Sequence, residues 1–552
     1  MKTINFDEYI SQYGDPTIAM AAVIKELQSG GILQLENRVY EFHADRAMEK
    51  YGYVSNNDNG MKRVLMPLEN RNDITIEGNG AQFLLHGHLM AALLEGCSNI
   101  TFRNLSIDYS RPFHSEVEIL EVTGNQVTLR IDPEKYPFHL TNDCLFFDGE
   151  GWSSNQIQSL LMYDPKTADL VPGAGDWYIF QSRFRAASPE SDTIVLEWGN
   201  YPSPYQLIPG MQVILAMVGR DTPAFAVSGC NNIRYENVTI YHSYAMGFLF
   251  QDCRNVTLSS CRVIPPRGRL ISACADASHF VNCSGEVLVE NCVFEAQMDD
   301  AVNVHGIYTV VDEIGENQLL LRYMHYQQAG TPIYHVGDTL RFVKCRTMTP
   351  FGMAQITECI PLNSSMVILK TTDLPDGLEV GDAAENLTRI PDNVVIKGCK
   401  TGKNRARSFL LSAGRKITVC GNELHSSGSA IYISGDANYW YESGNVGTVE
   451  ICNNEIYGCN KTAGWGNAAI DIVPEIPDLT ESYFHESISI HDNQFLLYRD
   501  AVLFARAVRH LKIYHNSAVY LPNSVSESEY AAYSVTACGF PALEPMKIQK
   551  KK

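Results

Sequence analysis

Short runs in which apolar and polar residues alternate recur along most of the chain, each closed by a turn built on Asn, Gly or Cys. Alternation with a period of two is the pattern of a β-strand with one face turned inward. Cys97-Ser-Asn-Ile-Thr-Phe-Arg-Asn-Leu-Ser-Ile, Cys230-Asn-Asn-Ile-Arg-Tyr-Glu-Asn-Val-Thr-Ile and Cys253-Arg-Asn-Val-Thr-Leu-Ser-Ser-Cys-Arg-Val superpose on one another, as does Cys283-Ser-Gly-Glu-Val-Leu-Val-Glu-Asn-Cys-Val-Phe. Further copies start at Asn393, Lys416, Thr448, Ser487 and His510, and the closest copies lie about 22 to 23 residues apart. That period is one coil of a parallel β-helix, whose backbone pairs with the coils above and below at about 4.8 Å. A second strand aligns in each coil, with a small residue (Gly247, Ala301, Ser408, Ala430, Ala469, Ala501) in one column. The fold class expected is all-β: a right-handed parallel β-helix.

Three stretches depart from this repeat. Thr17 to Ser29 carries apolar residues at helical spacing and stops at Gly30-Gly31, which predicts a helix capping the first coil. A cap is expected there, because an open solenoid end exposes core and unpaired strand edges. Residues 117–225 and 307–390 interrupt the coils with strand patterns and Pro/Gly-rich text. Both read as inserted antiparallel β modules, barrel-like in size. The organisation predicted is a cap with first coils (1–116), an insertion (117–225), coils (226–306), a second insertion (307–390) and C-terminal coils (391–552). The second insertion departs directly after Gly306, a position that predicts a wall or lid for whatever precedes it.

Composition narrows the function. With 43 Lys+Arg against 63 Asp+Glu the net charge is -20, which disfavours nucleic acid, anionic membranes and polyanionic polysaccharide as partners. No apolar window is long enough to span a bilayer, and Met1-Lys-Thr-Ile-Asn-Phe-Asp has no secretory pattern. The 15 cysteines form no CxxC pair, and most recur at two positions of the repeat, where they read as small buried thiols. A cytoplasmic, reducing location is expected, with no metal and no cofactor.

The candidate chemistry lies in Gln297-Met298-Asp299-Asp300-Ala301-Val302-Asn303-Val304-His305-Gly306. Successive residues on a strand point to opposite faces, so Asp299 and Asp300 can both meet water only where the strand begins. Asp276-Ala277-Ser278 aligns with Asp300-Ala301-Val302 on the preceding coil. That alignment puts Asp276 and Asp300 in one column, about one strand spacing apart. Like charges at that distance need a shared proton, cation or water.

This segment, with Asp276 placed 23 residues before Asp299, resembles glycoside hydrolase family 110. The polygalacturonase-like hydrolases resemble it more distantly, though their Gly-His-Gly and Arg-Ile-Lys signatures are absent. The resemblance covers most of the chain, both insertions and the Arg111-Pro-Phe region included. It implies an inverting, exo-acting α-1,3-galactosidase on a right-handed parallel β-helix, acting on linear or blood-group-B-type glycans. It makes Asp299 the general acid, and Asp276 and Asp300 the pair that polarises the attacking water. An inverting pair is expected to stand about 6.5–9.5 Å apart.

Residues expected to hold the sugar are Asn303 and His305, Arg407 in the Asp300 column of the next coil, His242, Arg111, and the loop carrying Trp440 and Glu442. The partner is then an oligosaccharide ending in α-1,3-galactose, and the insertions and aromatic loop offer surfaces for a homodimer. Other readings are a different β-helix glycosidase on galactose-containing polysaccharide, a β-eliminating lyase, or a non-catalytic β-helix that binds glycans.

Overall fold

The computed structural model describes all residues except 1, 180–181, 187–191, 200–201, 218, 463, 480–482 and 550–552. Its spine is a stack of coils with three short strands each. Phe248–Gln251, Arg254–Ser259 and Arg262–Val263 make one coil, and Ser278–Val281, Ser284–Glu290 and Val293–Glu295 make the next. Every strand of one coil pairs in parallel with its equivalent in the next. This is the parallel β-helix that the repeat predicts.

The repeated residue types follow from this stacking. Asn99, Asn232 and Asn255 adopt φ of 55–57°, a left-handed conformation that Asn tolerates better than most side chains. Their side chains form a ladder across coils, Asn232 Nδ2 donating to Asn99 Oδ1 at 2.9 Å and Asn255 Nδ2 to Asn232 Oδ1 at 3.0 Å. Asn422, Asn454, Asn493 and Asn516 repeat the device inside the C-terminal coils, at 2.9–3.0 Å per step. Each such bond contributes about 1 kcal/mol net. Inward aromatic rings stack in the same way, Phe225 on Phe248 at 5.6 Å and Phe250 on Phe280 at 5.1 Å. In the small-residue column a Cβ on Gly247 would come within 2.7 Å of the Ala277 carbonyl oxygen, so the coils could not close over a side chain there. Among the described residues all fifteen cysteines are free thiols, most of them buried.

The N-terminal cap is larger than the sequence pattern predicts. Thr3–Asn5 adds a strand to Ile32–Gln34, and two helices follow, α1 (Phe6–Tyr13) and α2 (Pro16–Glu26). α1 has its own apolar stripe at Phe6, Tyr9, Ile10 and Tyr13, which the sequence pattern left unassigned, and α2 ends three residues before Ser29, where Leu27 turns extended. Local chemistry separates the two helices. Gly14 at φ 73° ends α1, and the Asp15 carboxylate caps α2 by accepting from the N–H groups of Thr17 and Ile18.

Two antiparallel bodies leave the helix. Between Tyr109 and Phe225, the strands Ser115–Thr123, Gln126–Ile131, Ile157–Asp164, Thr193–Glu197 and Gln212–Met217 belong to one antiparallel sheet. Between Ile307 and Pro391, six strands close into a barrel. No helix among the described residues is long and apolar enough to cross a membrane.

Candidate active site

Four successive rungs position the carboxylates: β1 (Phe248–Gln251), β2 (Ser278–Val281), β3 (Val302–Ile307) and β4 (Phe409–Leu411). Ser278 pairs with Val302 and Val302 with Phe409. Two residues upstream, the same register sets Asp276 against Asp300 and Asp300 against Arg407. The Ala277 N–H donates to Asp300 O at 2.9 Å, and the Asp300 N–H donates to Asp276 Oδ1 at 3.1 Å. Asp299 stands beside this column. Its side chain is 19% exposed, against 1% for Asp300 and 3% for Asp276, so it is the carboxylate most open to a ligand.

Oxygens of the three carboxylates lie within 4.8 Å of one another. This is tighter than the 6.5–9.5 Å expected from the sequence, because neighbouring coils are one strand spacing apart and the column inherits that spacing. The positive charge that such a trio needs comes from arginines. Arg407 grips Asp300 through Nε to Oδ1 and Nη2 to Oδ2, both at 2.8 Å, while its backbone N–H adds a third bond at 3.0 Å. Arg220 Nη2 donates to Asp299 Oδ2 at 2.7 Å. Arg405 is turned toward Asp176 and the Met298 carbonyl, with its guanidinium 4.7 Å over the Trp465 ring.

Charge is therefore divided unequally. Burial pushes Asp276 up to about 8, with the neighbouring charge of Asp299 adding to it. Asp300 is raised by burial to about 7, with Arg407 pulling the other way. Burial also raises Asp299, but Arg220, Arg405 and Arg407 outweigh it and hold this carboxyl below the usual range. Asp276 and Asp300 are thus the carboxyls pushed toward the protonated form and Asp299 the one held ionised, whereas the resemblance assigns the donated proton to Asp299. Arg220 causes the difference. It sits outside the coil repeat, where the strand alignment does not reach.

These groups open into a cavity of about 650 Å³, within the range of ligand sites. One wall is the first insertion with its exit segment, including Ser159, Asp176, Tyr178 and Arg220; the opposite wall carries Tyr432, Asp436, Tyr439, Trp440 and Glu442. Among the described residues none of 307–390 lines it, which corrects the expected wall or lid. The carboxylates precede β3 and the barrel follows it, so roughly 20 Å of extended chain separates them. The barrel instead backs the aromatic loop, with His325 4.9 Å from Trp440 and Gln328 Nε2 donating to the Trp440 carbonyl at 2.9 Å.

Of the residues expected to hold the sugar, Asn303, Arg407, Trp440 and Glu442 line the cavity. Asn303 Oδ1 is buried without a hydrogen-bond partner, although the residue itself lines the cavity. Three others do not line it. His305 is buried behind the cavity floor, its Nε2 2.8 Å from His279 Nε2. His242 is buried between the Phe113 N–H and the Ser272 carbonyl. Arg111 lies against Tyr136, Phe147 and Trp152 in the first insertion and donates to the Asp148 carbonyl. Both are side chains that complete buried packing, and proximity in sequence to the coils misplaced them. The sequence reading also missed Arg220, Arg405 and His279. Arg405 and His279 carried a signal, two residues before Arg407 and three after Asp276, while Arg220 carried none.

Comparison with known proteins gives a consistent set. The GLAA-B beta-barrel domain I family matches residues 115–206, and the GLAA-B beta-barrel domain II family matches residues 318–384. Alpha-1,3-galactosidase B of Bacteroides thetaiotaomicron is 32% identical, over 91% of this chain and 83% of its own length. Alpha-1,3-galactosidase A of Shewanella woodyi is 33% identical, over 87% of this chain and 79% of its own. Among solved structures, an exopolygalacturonase from Thermotoga maritima is similar at a TM-score of 0.42 and 10% identity, covering 99% of this chain and 92% of that one.

Proposed function

The chain belongs to the α-1,3-galactosidase family, a family of glycoside hydrolases, and from that premise we propose that it releases terminal α-1,3-linked galactose with inversion at the anomeric carbon. The observation that carries the reading is the Asp276–Asp300–Arg407 column with Asp299 beside it, set in a cavity with room beyond one sugar ring.

Asp299 is the general acid, being the carboxylate open to the leaving oxygen. Asp276 and Asp300 hold the attacking water. The close spacing of the three carboxylates does not itself mark inversion; what favours it is how firmly Asp276 and Asp300 are tied. Both oxygens of Asp300 are bound by Arg407, and those of Asp276 by the Asp300 N–H and by His279. A nucleophile forming a glycosyl ester would have to abandon such bonds, whereas a base that takes a proton from water keeps them. The Asn303 amide and the Arg405 and Arg407 guanidiniums line the space where sugar hydroxyls would sit, and Trp440 with Tyr439 supplies an aromatic edge at the mouth. Acidic side chains such as Asp176, Asp436 and Glu475 around the cavity disfavour a uronate. Unpaired thiols throughout the coils fit a reducing compartment.

A proton NMR time course on Gal-α-1,3-Gal and on its fucose-branched counterpart tests this. Free β-galactose is expected first. Early α-galactose overturns inversion, and no galactose from either glycan overturns the activity.

A further inference from the structure

Behind the cavity floor runs a hydrogen-bond chain that the reaction as described does not use. His279 Nδ1 lies 2.5 Å from Asp276 Oδ2, and His279 Nε2 lies 2.8 Å from His305 Nε2. His305 Nδ1 lies 2.6 Å from the Gly306 carbonyl oxygen. All three side chains are buried.

The end of this chain decides where its hydrogens are. A carbonyl oxygen only accepts, so His305 carries its hydrogen on Nδ1. In the neutral ring its Nε2 then offers a lone pair, and His279 must donate from its own Nε2. That leaves His279 Nδ1 as a lone pair facing Asp276. An ionised carboxylate opposite that lone pair would be repelled across 2.5 Å; a protonated one makes a strong hydrogen bond.

We propose that His305 and His279, anchored on the Gly306 carbonyl, lock a proton onto Asp276, and that this is the proton Asp299 later gives to the leaving oxygen. The two histidines are positioning residues, since neither donates to the sugar. The groups facing this chain are Asp299, Asp300, Arg220 and Glu442, the last with Oε1 3.6 Å from His305 Nε2. Burial keeps the rings neutral, with His279 lowered to about 4 and His305 lowered as well, while Asp276 is raised.

The proton balance closes over one turnover. Asp276 passes its proton to Asp299 across a gap of at most 4.8 Å, which one water spans, when the sugar separates Asp299 from Arg220. Asp299 protonates the glycosidic oxygen as the bond to the anomeric carbon breaks. Asp276, now a carboxylate facing a lone pair, takes a proton from the attacking water as the new bond forms. The site returns to protonated Asp276 and ionised Asp299 without exchanging a proton with solvent. This step rests on the proposed roles of Asp276 and Asp299; the lock itself does not.

Two measurements separate these. NMR of protein labelled with ¹⁵N-histidine, near pH 7 and without substrate, reads the rings directly. The lock requires His305 protonated at Nδ1 and His279 at Nε2, with His279 Nδ1 accepting or sharing the Asp276 proton; His279 carrying its hydrogen on Nδ1 alone overturns it. The second is the pH profile of kcat/KM for His305→Phe and His279→Asn. In the first variant neutral His279 is free to move its hydrogen to Nδ1, and in the second a carboxamide that can turn its N–H toward Asp276 replaces the fixed lone pair. Either change stabilises the carboxylate, so the high-pH limb is expected to fall by about one pH unit or more in both. If the low-pH limb moves instead, Asp276 must be ionised in the free enzyme, and the lock is overturned together with the circulating proton. If neither limb moves, both are overturned.

Discussion

Arg407 and Asp300, on adjacent coils, form a forked ion pair with two parallel bonds of 2.8 Å, and Asp300 is almost wholly buried. The pair exists because β3 and β4 stack in register, so one column of the β-helix delivers a carboxylate and its counter-ion together. A buried charge without its partner is costly, which makes the pair a structural element as well as a part of the proposed site.

Removing the fork should therefore cost more than removing a charge. Arg407→Ala leaves Asp300 buried and unpaired, at a cost of about 3–5 kcal/mol in stability. Arg407→Lys keeps the charge but cannot make two parallel bonds. A fall in kcat of about 10²-fold or more is expected for Lys, with the melting temperature less affected than in Ala. Equal melting temperatures for the two variants would argue against the fork.

The acid assignment of Asp299 predicts a dependence on the leaving group. A disaccharide needs its departing oxygen protonated, whereas fluoride departs without that help. Asp299→Asn should lose about 10³-fold or more on Gal-α-1,3-Gal, against about 10²–10⁴-fold for typical acid–base catalysis, and far less on α-galactosyl fluoride. Asp276→Asn should lose both. Equal losses of Asp299→Asn on the two substrates would remove Asp299 from the acid role.

Arg220 tunes the pH range. Its guanidinium lies 2.7 Å from Asp299 and holds that carboxyl down; it also opposes the upward shift of Asp276. Arg220→Gln relieves both, so both limbs of the kcat/KM profile move to higher pH, and the limb set by Asp299 moves more because Arg220 touches it directly. A profile that stays in place, or moves down, contradicts this electrostatic account.

The coils, both insertions and the column holding Asp276, Asp300 and Arg407 were legible because stacking imposes one period on the whole spine. Asn255 and Cys253 recur for the same reason that Asp276 and Asp300 align: each coil repeats the geometry of its neighbour. What lay outside that period stayed hidden. Arg220 comes from the segment joining the first insertion to the coils, and no repeat fixes its position. The short helix α1 carries an apolar stripe at Phe6, Tyr9, Ile10 and Tyr13 and caps at Asn5 and Gly14, but spans only two turns, too short a run to stand out from the strand pattern around it. His305 shares the strand face of Asn303, yet the Glu442–Ser443 strand pairs alongside it and its ring is tied to His279 and the Gly306 carbonyl, so it does not line the cavity.

At the mouth, Trp440 is 43% exposed and held by His325 and Tyr439 at ring distances of 4.9 and 5.4 Å. A ring presented there and touching no reacting atom should contribute to binding alone. Trp440→Ala is expected to raise KM by roughly tenfold, equivalent to about 1.4 kcal/mol, with kcat within about twofold. A fall in kcat with KM unchanged would place Trp440 in the chemistry instead.

Protonation of Asp276 also has a signature in stability. Its carboxyl sits at about 8 in the folded chain and near 3.9 in an unfolded one, so the native state binds this proton more tightly. The stabilisation is complete below about pH 4 and is lost progressively as pH rises towards about 8, where the folded protein must carry the buried charge. Asp276→Asn is neutral throughout, and its amide N–H can donate to His279 Nδ1 as the protonated acid does. The variant should therefore gain on the wild type as pH rises from 5 to 8, with the difference in melting temperature levelling off above about 8. Melting curves at four pH values decide it. A difference that does not change with pH would mean that Asp276 is ionised in the folded protein across that range, and that the histidine chain behind it holds no proton.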